Sequence, residues 1–339
     1  MDSTAARAKP LTVAIRTLRS SRWAQWGVVG GLLLAAAIFP LTYSGYWIRL
    51  LSGMFMYAAL ASSLNIMVGY TGYADFGNVV FFGVGAYTTA ILMLKVGAPL
   101  PLAVLAGGAL AALYAMLLGL PILRLRGHYF AIATIGVQEA TRELVVNATS
   151  LTGGGAGLTL PIPDLTPQQF YRLIYYLMLG AMVLVVTVSG LIRRSRFGYG
   201  LRAIKADADA AEISGINTTW YKVAAWMTSA ALSGIVGGIW AYWYSYIQPP
   251  DAFSGITGVK YFIMTLLGGA GTLVGPVVGA FVLELISETV WSRFITLHLG
   301  VLGTIIVLVV LFMPRGLVPM LREGFKPKAW WKEFQENWI

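Results

Sequence analysis

Residues Leu50–Ala74 read LLSGMFMYAALASSLNIMVGYTGYA, 25 positions without a single Asp, Glu, Lys, Arg or His. A helix crossing the hydrocarbon core of a bilayer needs about 20 predominantly apolar residues, and this run exceeds that length. Charge-free windows of similar length flank it: Trp23 to Ile48, Phe76 to Leu94, Val96 to Leu123, Leu173 to Ile192, Val223 to Pro250 and Tyr261 to Leu283, while Phe294 to Pro314 carries only His298. The composition agrees. Of 339 residues, 58% are hydrophobic and 11% charged, against about 25% charged in soluble domains. That is too little charge to cover a globule of this size in water, so the expected solvent is lipid.

The windows predict an all-α, polytopic membrane helix bundle of about ten transmembrane spans, some broken or short. They are placed at 24–42, 46–68, 76–94, 98–120, 127–147, 170–191, 219–247, 255–271, 274–291 and 297–313. Those at 76–94, 255–271 and 274–291 are short and rich in glycine. Eighteen of the 24 Lys and Arg residues fall into four groups, around 7–22, 124–126, 193–222 and 315–332. Ten spans put all four groups on one side, the cytoplasm by the positive-inside rule. The expected organisation is a basic cytoplasmic segment at 1–23, a permease domain at 24–314 with a cytoplasmic elbow at 194–217, and a cytoplasmic tail at 315–339. Ala35 and Ala37 imitate a signal-peptide cleavage site, but the basic lead and apolar run are both longer than such peptides use. The first span is therefore expected to be retained.

The same composition excludes several classes. There is no cysteine and there are only two histidines, His128 and His298, so neither a thiolate nor a histidine-rich metal centre is available. The net charge of +10 lies between apolar runs, where cytoplasmic loops keep it, and implies no nucleic acid. The run Thr152-Gly153-Gly154-Gly155-Ala156-Gly157 invites a phosphate-binding reading. The chain contains no Gly-Lys pair, so it has no Walker A motif. That loop is expected to shape an outer mouth. No cofactor is expected.

Two glycine clusters break the plain-helix pattern: Gly69 to Asn78, followed by Gly83 and Gly85, and Gly268 to Pro276, followed by Gly279. Irregular backbone at membrane depth is tolerated only where protein buries it or it lines a wet cavity, and transporters use interrupted helices near the midplane. Closely packed helices use glycine too, so both uses stand for any single position. Asp75 lies inside the first cluster. It is either a carboxylate at membrane depth needing compensation or a solvated residue of a short loop. Glu139, Arg142 and Glu143 have spacings that let Arg142 pair on its own helix. Glu284 and Glu288 have no basic residue at helical spacing and point to a cavity or a partner subunit. Lys260 is expected to snorkel to the interface.

The stretch Ser195 to Ile216, SRFGYGLRAIKADADAAEISGI, differs from everything around it. Leu201 to Ile213 reads as one amphipathic helix with Leu201, Ile204, Ala208 and Ala211 along one side. Gly215 reads as its stop and Asn217 as a turn. A helix lying on the lipid surface and a protein contact are both compatible with that pattern.

This segment resembles the cytoplasmic loop of permease subunits in the branched-chain amino acid ABC transporter family, LivM-type. Other stretches resemble the same family in the same order: Leu64 to Gly72, Phe81 to Thr88, Leu123 to Ala131, Leu151 to Gly154, Leu267 to Thr272 and Pro314 to Leu317. Together they cover residues 50 to 317. The resemblance implies a bacterial inner-membrane importer with a second, different permease subunit, two cytoplasmic ATP-binding subunits and a periplasmic substrate-binding protein. ATP hydrolysis then belongs to the partners, and this chain is no enzyme. It implies ATPase coupling by Arg202, Lys205, Asp207, Glu212 and Gly215; for import by alternating access, Asn65, Tyr70, Asp75, Asn78 and Tyr87 are the candidates for lining or gating the translocation path. The family commonly has Ser-Phe/Leu-Gly-His where this chain has Asp75-Phe76-Gly77-Asn78, which leaves the solute open among branched-chain or related amino acids, urea, short amides and other small polar compounds. A stand-alone ion-coupled transporter, with Asp75 or Glu284 as coupling carboxylate, is the rival from another class.

Overall fold

The structure is a computed structural model that describes residues 22–42, 45–161, 165–293, 300, 303–304 and 316–323. It is helical almost throughout. In chain order the helices are α1 (Arg22–Thr42), α2 (Tyr46–Val68), α3 (Val79–Ile91, extended by a π turn Leu92–Val96), α4 (Leu100–Ile122), α5 (His128–Asn147), α6 (Pro167–Arg194), α7 (Arg196–Ala206), α8 (Ala208–Ile213), α9 (Thr218–Tyr244), α10 (Gly255–Gly268), α11 (Gly275–Arg293) and α12 (Leu317–Glu323). Two-residue strands β1 (Leu158–Thr159) and β2 (Tyr246–Ile247) pair antiparallel, Leu158 opposite Ile247.

Among the described residues, α2, α3 with its π turn, α4, α6 and α9 are long and apolar enough to cross a membrane. They fall on the predicted spans at 46–68, 76–94, 98–120, 170–191 and 219–247. The predicted span at 297–313 lies largely outside the described residues, as do most of the N-terminal segment and the C-terminal tail. The predicted span at 255–271 is a helix of 14 residues, roughly 21 Å long and short of the ~30 Å hydrocarbon core. Its neighbour, α11, turns back along it immediately.

α9 is the central post, with α2, α3 and α4 packed around it. Glycine makes the approach possible. A Cβ on Gly237 would strike the Phe82 carbonyl, and one on Gly85 would strike the backbone of Gly234. In lipid there is no hydrophobic drive between helices, so such close van der Waals contact carries the association. Gly83 and Gly85, which closed the first predicted cluster, are packing glycines. Trp226, Tyr70, Tyr175, Tyr261, Phe81 and Phe130 are all fully buried around this post.

The bundle has two distinct ends. At one, Arg126 before α5 pairs with Asp209 in α8, Lys205 reaches Gly69, and Gly316 before α12 lies against Gly269. At the other, β1 meets β2, and Lys95 Nζ donates to the Ser150 carbonyl at 2.7 Å. The described members of the basic groups at 124–126 and 193–222 therefore share one end, as the predicted span count requires.

Candidate functional site

A seam of polar side chains runs through the bundle where α2, α9, α10 and the loop before α3 meet. Its centre is Asp75, 1% exposed, which removes the solvated-loop reading. Trp226 Nε1 donates to Asp75 Oδ2 at 2.7 Å, and Asn78 Nδ2 donates to the same oxygen at 3.0 Å. The Asn78 amide also donates to Ser229 Oγ at 3.2 Å, while its oxygen accepts from Ser233 Oγ at 3.0 Å and more distantly from the Tyr261 hydroxyl. Ser63 joins through the Ser233 hydroxyl at 2.8 Å. An isolated carboxylate in low dielectric would be strongly disfavoured. Here two donors fix one of its oxygens, and the hydroxyls around Asn78 hold that amide in one orientation.

Toward the end of α2, the two glycine clusters meet. Asn65 Nδ2 donates to the Thr272 carbonyl at 2.9 Å, and its Oδ1 accepts from the Gly271 N–H at 2.8 Å. One side chain thus satisfies both a donor and an acceptor of the second cluster's irregular backbone, the need that buried polar backbone always imposes. Gly271 sits at φ +84°, open to glycine and strained for other residues. No side chain fits on Gly69, because a Cβ there would collide with Asn65 and the Gly271 nitrogen.

The elbow after α6 closes over this junction. Ser195 caps α7 by accepting from the Gly198 N–H at 3.2 Å. Leu201 and Ile204 are buried, as is Ala211 farther on, so the predicted apolar side exists. The predicted single helix from Leu201 to Ile213 does not. Asp207 divides it, because its Oδ1 accepts from the backbone N–H groups of Asp209 at 2.9 Å and Ala210 at 3.0 Å and starts α8 afresh. Gly215, at φ +86°, ends α8, and Asn217 caps α9 by accepting from the Trp220 N–H.

The predicted coupling residues divide by direction. Lys205 turns inward and donates from Nζ to the Gly69 carbonyl at 2.8 Å. Partial burial of the ammonium there lowers it below the usual lysine range. Arg202 donates to the Arg193 carbonyl at 3.2 Å and lies over the Tyr199 ring. Asp207 is spent on the cap. Glu212 and Gly215 face outward and, with Trp220, 55% exposed, line a shallow depression of about 450 Å³; Ile213, next to Glu212 in the chain, is 89% exposed.

Of the predicted path residues, Asp75 and Asn78 touch, and Asn65 stands at the junction of the two glycine clusters. Tyr70 is buried and bonds through its hydroxyl to Ser189 Oγ at 2.9 Å. Tyr87 stands apart, stacked on Phe253 with ring centroids 5.9 Å apart. Sequence reasoning missed Trp226, Ser229 and Ser233. They are an indole and two hydroxyls in an apolar helix, and only the partner they meet marks them. Lys260 does not snorkel. It pairs with Glu284 at 2.7 Å and lies over Tyr57, while Glu288 accepts from the Tyr46 hydroxyl at 2.8 Å. Both carboxylates are thus partnered within the chain. Among the described residues no group of three His, Cys, Asp or Glu could hold a metal ion.

Residues 46–310 match the family described as branched-chain amino acid transport system, permease component. The chain is 30% identical over 328 residues to the high-affinity branched-chain amino acid transport system permease protein LivM of Salmonella typhimurium, an alignment covering 88% of this chain and 76% of the relative. It is 29% identical over 323 residues to the Escherichia coli protein of the same name, with the same coverage. With the permease protein LivH of Escherichia coli it shares 26% over 289 residues, 77% of this chain and 91% of the relative. No solved structure matches the chain.

Proposed function

The chain belongs to the permease-component family of branched-chain amino acid transport systems, and from that premise we propose that it is a permease subunit of an ATP-driven importer of branched-chain or related amino acids. It works in the bacterial inner membrane with both tails in the cytoplasm. Its partners are a second permease subunit, two cytoplasmic ATP-binding subunits and a periplasmic binding protein. It performs no bond chemistry itself.

The observation that carries the mechanism is the Lys205–Gly69 contact. It links the elbow to the point where both glycine clusters meet, so a push on the elbow reaches the core in one step. The outward rim of Glu212, Ile213, Gly215 and Trp220 is the docking side for an ATP-binding subunit. Lys205 carries the displacement inward. Asn65, Tyr70, Asp75 and Asn78 form a gate that holds the seam shut, and Tyr87 belongs to the approach from the opposite end. Polar side chains in the seam are few and mostly bonded to one another, with Asp75 Oδ1 left without a partner, which suits a passage that holds its solute weakly. Selectivity then rests largely with the binding protein.

The test is purification of the tagged chain from membranes, followed by uptake assays in intact cells. ATP-binding subunits should accompany the chain, and uptake should stop on ATP depletion. Uptake that survives ATP depletion and collapses with the ion gradient would favour an ion-coupled transporter instead.

A further inference from the structure

Several carboxylates of this chain have a cation beside them. Glu284 has Lys260, Asp209 has Arg126, and Glu139 and Glu143 share Arg142. Asp75 is buried and belongs to none of the ion pairs among the described residues. Its hydrogen bonds are lopsided as well. Trp226 and Asn78 both donate to Oδ2, while Oδ1 has no partner. The Gly77 N–H also acts on the carboxyl group without closing a hydrogen bond on Oδ1. An ionised carboxylate accepts at both oxygens, whereas a protonated acid accepts on one and carries its hydrogen on the other. The arrangement is that of the acid.

The elements packed around Asp75 bring it no counter-charge. α2 meets the seam through Ser63, and its one charged residue, Arg49, is exposed near its other end. α9 brings Trp226 and Ser229. Lys222, one turn earlier, is buried but lays its ammonium over the Tyr73 ring, 4.9 Å from the centroid. α10 brings the Tyr261 hydroxyl, and its Lys260 is held by Glu284. α5 lies against Gly77 through Thr134, and its Glu139, Arg142 and Glu143 are outside its buried side and paired together. From the elbow, Lys205 is taken by the Gly69 carbonyl. A buried carboxylate among neutral groups sheds its charge by taking a proton rather than staying ionised.

We propose that Asp75 is a proton-binding site: Oδ1 carries a proton while the seam is shut and gives it to water when the seam opens. The inference rests on the gate described above. On opening, the O–H bond breaks, its electron pair stays on the carboxylate, and the proton leaves as hydronium. On closing, the same oxygen takes a proton back from water. The neutral acid keeps Oδ2 as the acceptor for both Trp226 and Asn78, so the hydrogen bonds of the shut seam survive protonation unchanged. Ionisation instead leaves a charge that nothing in the shut seam compensates. The bound proton therefore favours the shut form, and its loss favours the open one.

The experiment uses the full chain reconstituted in lipid and, in a second arm, the transporter assembled by co-expression. Infrared spectra are taken at about pH 6, where ordinary carboxyls, with pKa values of about 4, are ionised. The wild type should show a protonated-carboxyl C=O band that moves to lower frequency when its aspartates carry a heavy-isotope carboxyl carbon. Asp75→Asn should lack that band. Its absence from the wild type overturns the proposal, and the isotope reads the site even where the variant fails to fold. Persistence of the band in Asp75→Asn places the proton elsewhere and overturns it equally. Linkage fixes the sign of the pH effect, because the form that binds the proton more tightly gains as pH falls. From about pH 8 to about pH 6, the melting temperature of the wild type should rise by more than that of Asp75→Asn, and an equal rise counts against the site. In the assembled transporter, a non-hydrolysable ATP analogue should abolish the band, since opening hydrates Asp75. A band that survives in a transporter with the analogue bound overturns proton release. A chain that recovers no ATP-binding subunits refutes the importer reading instead, while the band of the chain alone still decides the proton site.

Discussion

Asp75 is a carboxylate buried inside the bundle, and Lys205 turns its ammonium onto a backbone carbonyl of the core. Asp75 is enclosed and answered by Trp226 and Asn78. Replacing it with alanine strands two buried donors, and each orphan costs about 1–3 kcal/mol. Asp75→Ala should therefore lower the melting temperature of the detergent-solubilised protein clearly. Asp75→Asn, which keeps an acceptor oxygen for the indole, should lower it less. Equal melting of both variants with wild type would mean the pair is ornamental. Lys205 faces Gly69 rather than the solvent-exposed rim. Lys205→Met should cut uptake about tenfold or more while ATP-binding subunits still co-purify in full. Loss of those subunits would return Lys205 to the docking surface. The sequence made the unusual charge of both positions visible, but not their partners. Trp226 is 151 residues from Asp75 and Gly69 is 136 from Lys205, and no local periodicity reaches so far.

The elbow shows how one side chain divides an element. Residues 201–213 have the spacing of a single amphipathic helix, and α7 and α8 do share a buried side. Asp207 nonetheless captures two backbone N–H groups of the next turn. A cap of this kind is worth about 1 kcal/mol. Asp207→Ala should release α8 from its angle, raising protease cleavage around 207–214 and reducing uptake without loss of membrane insertion. An unchanged cleavage pattern would show that packing alone sets the break. The bond between Arg126 and Asp209 also ties α8 down, but its side chains are 61% and 69% exposed. Exposed pairs contribute about 0–1 kcal/mol, so Arg126→Ala should matter little. Glycine on α9 has the opposite weight. Gly237→Val forces apart α9 and α3 at the Phe82 carbonyl and should abolish monodisperse protein in detergent, whereas Gly155→Ala, with nothing within 4 Å, should behave as wild type in gel filtration.

At the scale of the molecule, the two ends of the bundle should lie on opposite faces of the membrane. The chain is cysteine-free, so single cysteines report this directly. Ser214→Cys in the loop after α8 should react with a membrane-impermeant thiol reagent only in inside-out vesicles, and Gly155→Cys only in right-side-out ones. Labelling of both from one side would break the proposed topology. The amino-acid sequence by itself determined the all-helical membrane class, most of the described spans and the sharing of one end by the basic loops it describes. Those properties are sums over 20-residue windows, and hydrocarbon tests every window separately. Tertiary structure alone decided which glycines pack and which meet at the junction. It also placed Asp75 in a closed seam, paired Lys260 with Glu284, and left the carboxylates of α5 facing outward. Each of these is a choice among partners distant in the chain. Contact at close range settles it, and apolar periodicity is silent about it.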